Sequence, residues 1–286
     1  MKSLTRNTIS YRLGTIIRYV VLVIIALIVI VPILWVYSNS FRHISEFGKY
    51  TSLSVYTFIP EYFTLDNYRK LGEESIFITA LFNSLLVTIV TVFLSLIVQT
   101  TSGFAFAKFR FPGRNILFAI FLLTMGVAPE ILTIGRYFII RDVGLIDTRL
   151  GIILPFVGGA FGVFYMTQVF SDLPDHFRDA AIIDGANWGQ IFFRIYLPLT
   201  GAALITLGLL VFMLMWDNLQ WPATIINSQE KQVLAVYLQT LANRDYGVEY
   251  GILYAGVVAS TIPSILLYVI FQKYYMQQVT AGGIKG

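Results

Sequence analysis

Long uncharged stretches alternate with short polar segments along the chain. Five stretches of 22 to 33 residues contain no Asp, Glu, Lys or Arg, and a sixth is interrupted only by Glu130. A helix needs about 20 apolar residues to cross the bilayer hydrocarbon, whereas barrel strands alternate over about ten. The pattern therefore predicts an all-α membrane protein with six spans: Tyr19–Phe41, Ser75–Ala107, Asn115–Gly135, Leu150–Ser171, Ile195–Trp216 and Tyr250–Gln272.

These spans divide the chain into a few regions. The basic residues before the first span suggest a signal peptide, but its apolar run exceeds the 7–15 residues of such peptides, so a retained anchor is predicted. The predicted regions are a cytoplasmic segment (1–18), the first transmembrane helix (19–41), an extracytoplasmic loop (42–74), a core of five helices (75–275) that includes a cytoplasmic loop (172–197), and a cytoplasmic tail (276–286).

Composition supports the membrane assignment, and charge gives the orientation. The chain is 57% hydrophobic and 13% charged, against about a quarter charged in soluble domains. Of the 20 Lys and Arg residues, 11 lie on the side that carries both termini, where the turn at 108–114 is densely basic. Cytoplasmic loops are enriched in Lys and Arg, so both termini are predicted to be cytoplasmic.

Several kinds of chemistry have no residues to support them. The chain has no cysteine, two histidines and no nucleotide-binding, metalloprotease or nucleophile-elbow motif. Glu130 is the sole carboxylate inside a predicted span. We interpret it as a helix-end residue near the outer interface, paired with Arg136, in preference to a substrate or proton site.

The loop between the fourth and fifth spans carries the most specific pattern. Asp175 is placed to cap a short helix through Asp179, and Gly185 predicts a turn. This helix–turn–helix is typical either of an interfacial connector or of a docking element for a soluble partner. Its second helix carries one apolar stripe at offsets of 3, 4 and 7, formed by Trp188, Ile191, Phe192 and Ile195.

The same loop resembles the EAA loop of ABC-importer permeases. That motif reads E-A-A, three residues, G, nine residues, I, one residue and L-P. Every interval matches, although an Asp, one methylene shorter, stands in place of the usual Glu. The matching residues are Asp179, Ala180, Ala181, Gly185, Ile195, Leu197 and Pro198, and the trio Asp184, Gly185 and Ala186 fits the form common in sugar permeases.

Further segments extend the resemblance to the smaller permease of the maltose-type carbohydrate importers. Asn83-Ser84-Leu85 resembles the start of that family's second span, and the turn at 105–113 resembles its A-x-A-(R/K)-F-x-F-x-G sequence. Residues 129–137 are similar to its outer third-span segment, with Gly135 where a proline is usual. The resemblance implies the type I ABC importer permease fold and a place in the prokaryotic cytoplasmic membrane.

It also implies partners and a division of labour. The expected partners are a second permease, two ATPase subunits, an extracytoplasmic solute-binding protein and the lipid bilayer, with no nucleic acid. ATP and Mg are expected on the partner ATPase. This chain is therefore expected to be a non-catalytic subunit with no cofactor, no metal and no catalytic residue, importing a carbohydrate, specifically an oligosaccharide.

The implied functional residues fall into three groups. The EAA-like residues, with Asp184 and Ala186, are expected to couple to the ATPase. The C-terminal tail resembles one that enters the ATPase dimer interface, through Ala281, Gly282, Gly283 and Lys285. The residues expected to contact the binding protein or the sugar path are Trp216, Asn218, Asn243, Arg244 and Tyr246.

Other functions stay open from the sequence. Within the same class, the chain is alternatively a permease for polyamines, anions or another small solute. From different classes, it is alternatively a standalone channel, a secondary carrier or a membrane-embedded enzyme, the last disfavoured by the missing catalytic residues.

Overall fold

The computed structural model describes residues 2–49, 55–243 and 249–283. These residues are mostly helical, and their only β pairing is an isolated antiparallel bridge between Arg42 and Phe63. The α-helices are α1 (Lys2–Ser40), α2 (Val55–Phe58), α3 (Asp66–Glu73), α4 (Ser75–Lys108), α5 (Arg114–Thr124), α6 (Pro129–Asp142), α7 (Arg149–Val157), α8 (Ala160–Asp172), α9 (His176–Ile183), α10 (Trp188–Ile191), α11 (Leu197–Leu199), α12 (Gly201–Trp216), α13 (Gln220–Ile225), α14 (Leu234–Ala242) and α15 (Tyr250–Gly283).

Three helices are long and apolar enough to cross a membrane alone. They are α1 over Gly14–Ser40, the whole of α4, and α15 over Tyr250–Gln272. Three further pairs reach that length and composition only together: α5 with α6, α7 with α8, and the segment Trp188–Leu199 with α12. The six predicted spans therefore correspond, in the described part of the chain, to three continuous helices and three bent pairs.

The third predicted span, Asn115–Gly135, departs most from a continuous helix. Helices α5 and α6 meet at 109°. Pro129 is at the start of α6, and Ala128 before it has φ −59° and ψ 131°, outside the helical region. A proline has no N–H to donate, and it disfavours helical backbone in the residue before it. The chain consequently turns at residues 125–128, where the sequence predicted one span.

The fourth span bends by 40° at Gly158 and Gly159, which leaves helix-end carbonyls without intrahelical partners. Two side chains of α4 supply the missing donors. Gln99 Nε2 donates to the carbonyl of Val157 at 3.0 Å, and Ser95 Oγ donates to that of Phe156 at 3.3 Å. Lipid provides no donor, so an irregular backbone at this depth depends on such contacts.

Contacts divide the chain into two compact units. The first comprises residues 1–74 and 240–261, and the second comprises residues 75–239 and 262–286. In the first unit, Arg42 and Glu46 form a buried ion pair at 3.7 Å. The Glu46 carboxylate accepts the backbone N–H groups of Glu61 and Tyr62 at 2.9 and 2.7 Å. This pair holds the segment after α2 against the end of α1.

The second unit is built around α4, which packs on α7, α8 and α12. Two glycines permit the close approach of α4 and α8. A Cβ at Gly103 would lie 2.6 Å from Met166 Cβ, and one at Gly162 would lie 1.5 Å from Gln99 Oε1. Small residues at such crossings let helix backbones approach in a membrane.

Replacing Gln99 with Leu removes the donor to the Val157 carbonyl, while a side chain of similar size still fills the space beside Gly162. An unsatisfied buried carbonyl costs about 1–3 kcal/mol, so we expect Gln99→Leu to lower the melting temperature of the purified complex. The matched control is Gln168→Leu, the same change at an exposed position of α8. Equal melting temperatures for the two variants would contradict the role given to Gln99.

Candidate functional site

The loop that resembles the EAA motif forms a rigid helix–turn–helix. Helix α9 ends at Ile183, and Gly185 two residues later has a φ of +79°, in the left-handed region that favours glycine. Ala186 N–H donates to the Ala181 carbonyl at 2.9 Å, and Gly185 N–H donates to the Ile182 carbonyl at 3.0 Å. This pair of hydrogen bonds is a Schellman motif, so the predicted turn at Gly185 is present.

The second helix of the loop is capped and continues into a wider turn. Asn187 and Gln190 form a capping box, each side chain accepting the other's backbone N–H at 2.9 Å. Residues Phe192–Tyr196 are π-helical, and Pro198 follows directly. A helical proline clashes with the carbonyl four residues earlier, that of Arg194, which here lies inside this wider turn. After Leu199 the chain bends by 79° into α12.

The apolar stripe of this second helix faces its own protein. Ile191 and Phe192 are buried, and the Trp188 ring lies 4.5 Å from that of Phe109. Phe104 of α4 lies at the centre of the same cluster, with Phe192 at 4.9 Å. Ile191 and Phe192 therefore attach the loop to the core, while α9 presents exposed residues to a partner.

Lys108 fastens the loop to the end of α4. Its side chain is 4% exposed, and its Nζ donates to the Leu173 carbonyl and to Asp175 Oδ1, both at 2.8 Å. This hydrogen bond holds the pKa of the Asp175 carboxyl below its usual range. Asp175 precedes α9, but its carboxylate accepts a hydrogen bond from Lys108 and makes no side-chain cap. The predicted capping role of Asp175 is therefore wrong.

The outer surface of α9 combines apolar and charged side chains. Ile183 is 86% exposed, Ile182 is 49% exposed and Phe177 is also exposed. The Asp179 carboxylate accepts two hydrogen bonds from Arg178, at 2.9 and 2.8 Å. Of the other residues predicted to couple to an ATPase, Ala180, Asp184 and Pro198 are exposed, Ile195 and Leu197 are half-buried, and Ala181 is buried.

The remaining predicted residues lie in different settings. Ala281, Gly282 and Gly283 continue the backbone of α15, while Lys285, Arg244 and Tyr246 fall outside the described residues. Asn243 is exposed just after α14. The ring of Trp216 is 6% exposed and stacks on Phe212, with ring centroids 5.6 Å apart, so it presents no open face to a sugar.

Asp147 joins the loop between α6 and α7 to the loop after α13, a contact that the sequence did not predict. It is a non-glycine residue with φ +55°, a conformation that Asp tolerates better than most residues. Its carboxylate accepts the N–H groups of Asn227 and Ser228 at 3.0 Å, Ser228 Oγ at 2.5 Å and Lys231 Nζ at 2.8 Å. These bonds, which we call the Asp147 knot, hold the pKa of Asp147 well below its usual range.

The Asn-Ser pair at the start of the second span extends this arrangement. Buried Asn83 donates to the carbonyls of Glu230 and Gln232 at 2.8 and 3.0 Å and accepts from Arg149 Nε at 3.0 Å. Ser84 Oγ accepts the N–H of Leu234 at 2.7 Å. Lys108 lies 25 residues further along the same helix, about 37 Å away at 1.5 Å per residue. The knot and the EAA-like loop therefore lie at opposite ends of α4.

A cavity of about 620 Å³ opens between α6, α7, α12 and α13. Its lining includes the predicted sugar-path residue Asn218, together with Glu130, Arg136 and Asp217. Glu130 is exposed, and no ion pair joins it to Arg136 among the described residues. The predicted Glu130–Arg136 pair is therefore absent, because Arg136 lies instead against the rings of Phe156 and Trp221.

A family model described as "Binding-protein-dependent transport system inner membrane component" matches residues 7–280. The chain belongs to this family. It is an inner-membrane component of an ABC transporter, as the sequence predicted.

Permeases of known systems share nearly its whole length. AraQ, the arabinooligosaccharides transport system permease protein of Halalkalibacterium halodurans, is 34% identical over 263 residues, covering 92% of this chain and 93% of AraQ. LacG, the lactose transport system permease protein of Rhizobium radiobacter, is 30% identical over 274 residues, covering 95% and 97%. SugB, the trehalose transport system permease protein of Mycobacterium tuberculosis, is 30% identical over 263 residues, covering 90% and 93%.

A solved structure confirms the fold. The structure of a bacterial ABC transporter involved in the import of the acidic polysaccharide alginate contains a chain with a TM-score of 0.83 and 30% identity. The match covers 93% of this chain and 98% of that one. The predicted six-span type I importer permease fold is therefore confirmed, with three of its spans bent.

The Asp147 knot gives a pH-dependent prediction. Because the folded pKa lies below the unfolded value of about 3.9, the ionised carboxylate stabilises the knot at every pH above about 4 and loses this effect only as pH falls through the folded pKa. We expect Asp147→Asn to reduce hydrogen-exchange protection of the 227–228 amides about tenfold, since charge-assisted bonds are lost.

The comparison is made on the intact complex from pH 8 to pH 4, after correction for intrinsic exchange rates. The gap between wild type and variant should be constant over this whole range, because it narrows only below about pH 4. Asp142→Asn is the control, because that exposed carboxylate pairs only with neighbouring Arg141. A gap that closes between pH 7 and pH 5 would contradict the assignment.

Proposed function

We propose that this chain is the transmembrane permease subunit of an ATP-driven, binding-protein-dependent importer for an oligosaccharide. The observation that carries the proposal is full-length similarity to permeases of arabinooligosaccharide, lactose and trehalose systems. Membership of the family disfavours a standalone channel, a secondary carrier or an enzyme. Permeases for polyamines or for small anions gain no support from these relatives.

The orientation proposed is that the EAA-like loop and both termini face the cytoplasm. The separation of about 37 Å between Asn83 and Lys108 exceeds the hydrocarbon thickness of about 30 Å, so the two ends of α4 emerge on opposite sides. The densely basic turn at 108–114 adjoins Lys108. Cytoplasmic loops favour such basic residues, which supports this assignment.

Helix α9 is the proposed docking element for an ATPase subunit. Its exposed Ile182 and Ile183 form an apolar surface beyond the predicted spans, which marks interaction sites in many proteins. The Schellman turn at Gly185 holds this surface in one shape. Lys108 and the Phe104 cluster join the loop to α4 and α8, so a displacement of α9 by its partner would move both helices.

On the outer side, the 217–249 segment is proposed to meet the solute-binding protein. The Asp147 knot and Asn83 fix residues 227–234 to the start of α4 and α7, which supports a firm platform there. Asn243, Arg244 and Tyr246 are the proposed contacts at the tip.

The remaining parts of the proposed transporter are a second permease and two ATPase subunits that carry ATP and Mg. ATP hydrolysis is assigned to those subunits, because no nucleotide-binding loop occurs in this sequence. The tail that ends in Lys285 is proposed to reach the ATPase dimer.

The proposal as a whole is tested by transport. The chain is expressed together with the subunits that co-purify with it. Uptake of radiolabelled arabinotriose, lactose and trehalose is then measured in right-side-out vesicles or in proteoliposomes. At least one of these neutral oligosaccharides should enter only with ATP and a binding protein. Uptake of none of them, or ATP-independent uptake by the chain alone, would overturn the proposal.

The docking surface gives a sharper prediction. Ile183 is 86% exposed, so Ile183→Asp should leave this chain's own packing unchanged. Desolvating a carboxylate in an apolar pocket is costly, and hot-spot changes of 2 kcal/mol or more weaken binding by about 30-fold. We expect the variant to reach the membrane normally and to lose co-purification with the ATPase.

Ile183→Leu is the matched control and should retain both the ATPase and uptake, because volume and polarity are kept. If Ile183→Asp co-purifies with the ATPase as wild type does, α9 is not the docking element.

A further inference from the structure

The cavity between α6, α7, α12 and α13 has the size and lining of a ligand site. Its volume of about 620 Å³ falls in the range of small-molecule pockets, about 300–1,000 Å³. Asp217 and Gln220 are exposed at its edge, Asn218 and Arg136 are half-buried, and Trp221 is buried behind them. All of these residues belong to the second unit of the chain, so the cavity is formed within one compact body.

Arg136 has a guanidinium in this cavity whose N–H donors make no hydrogen bond within the described part of the protein. Its guanidinium lies 5.0 Å from the ring of Phe156 and 5.4 Å from the ring of Trp221. Such cation–π contacts hold the group in place without using its five N–H donors. Among the described residues, none accepts a hydrogen bond from Arg136 or forms an ion pair with it. Its donors are therefore positioned and available to a ligand.

The ring contacts themselves rest on a fixed support. Trp221 Nε1 donates to the buried carbonyl of Gly151 at 3.0 Å, which locks the indole against α7. Trp221 N–H donates to Asn218 Oδ1 at 3.3 Å, which orients the Asn218 side chain with its amide nitrogen unused in that contact. The donors of Arg136 and Asn218 are thus presented by side chains whose positions are set by neighbouring residues.

Acceptors complete the lining. Glu130, Asp217 and Gln220 bring carboxylate and amide oxygens to the same cavity, and Thr133 adds a hydroxyl. A sugar hydroxyl both donates and accepts, so a mixed set of one guanidinium, two carboxylates and two amides matches it. An anionic ligand would meet two carboxylates against one cation, and an acyl chain would leave these polar groups without partners.

We propose that this cavity is a saccharide-binding subsite on this chain, with Arg136 and Asn218 as its donors and the Asp217 carboxylate as its acceptor, for a neutral oligosaccharide. The inference rests on the proposed function, whose substrate class it narrows to neutral sugars. It also assigns substrate contact to the chain itself and gives Arg136 a role that sequence reasoning reserved for pairing with Glu130.

The absence of cysteine from the sequence allows a direct test. A single Gln220→Cys is introduced at the cavity edge, and Thr224→Cys, an exposed position further along α13 and outside the cavity, is the matched control. The purified complex is labelled with a thiol reagent in the presence of whichever of arabinotriose, lactose or trehalose the uptake assay shows to be transported. That sugar should slow labelling at position 220 and leave labelling at position 224 unchanged.

Arg136→Gln, combined with Gln220→Cys, tests the donor. Loss of a charged hydrogen bond should raise the half-protecting sugar concentration at least about tenfold. The control is Arg141→Gln on the same helix, whose guanidinium likewise lies over a ring, that of Phe138 at 4.8 Å, but pairs with Asp142. A purely structural role for Arg136 would change the labelling rate without sugar, which we expect to stay constant.

Two outcomes would overturn the subsite while leaving the proposed function intact. One is transport of a neutral oligosaccharide with no protection at position 220. The other is equal protection of the Gln220→Cys variant with and without Arg136→Gln. Protection by a uronic-acid trimer but by no neutral sugar would overturn the neutral class. If Arg136→Gln fails to give a monodisperse complex, Asn218→Ala provides the same measurement, since it removes the second donor.

Discussion

A bend in the backbone at membrane depth needs polar partners from within the protein, because lipid offers none. The bend at Gly158 and Gly159 shows how the need is met. Gln99 and Ser95 of α4 donate to the carbonyls that the bend releases, and Gly162 leaves the space that Gln99 fills. The position of α4 against α7 and α8 follows from these contacts, and the two ends of α4 in turn position both candidate functional regions.

At each end of α4 a buried polar side chain holds a loop. Lys108 binds the loop that carries α9, and Asn83 binds the segment that follows α13. One continuous helix, about 37 Å from Asn83 to Lys108, thus joins the surface proposed to dock an ATPase subunit to the surface proposed for the binding protein. A rigid helix of this kind is one element that can carry coupling between distant sites.

The bent spans give the second unit its concave surface. Because α5 and α6 meet at 109°, α6 does not continue α5, and the cavity with Arg136 lies between α6, α7, α12 and α13. The proline and glycine residues responsible are visible in the sequence, but the angle each produces depends on the helices packed around it. A kinked helix and a re-entrant turn have the same residue types at the break.

The sequence by itself determined the class of the protein, the number of spans and the EAA-like loop, because apolar length and motif spacing are local properties. Gly185 is one example: its turn requires left-handed backbone, which the residue type alone indicates. Only the tertiary structure decided which side chains meet. Ile191 and Phe192 of the apolar stripe are buried in the protein, and Trp216 is buried as well. The Asp175 carboxylate accepts a hydrogen bond from Lys108 in place of capping α9, and Arg136 forms no ion pair with Glu130. The tertiary structure also brought Asp147 to Ser228 and Asn83 to Gln232, contacts between residues 81 and 149 positions apart that no local pattern encodes.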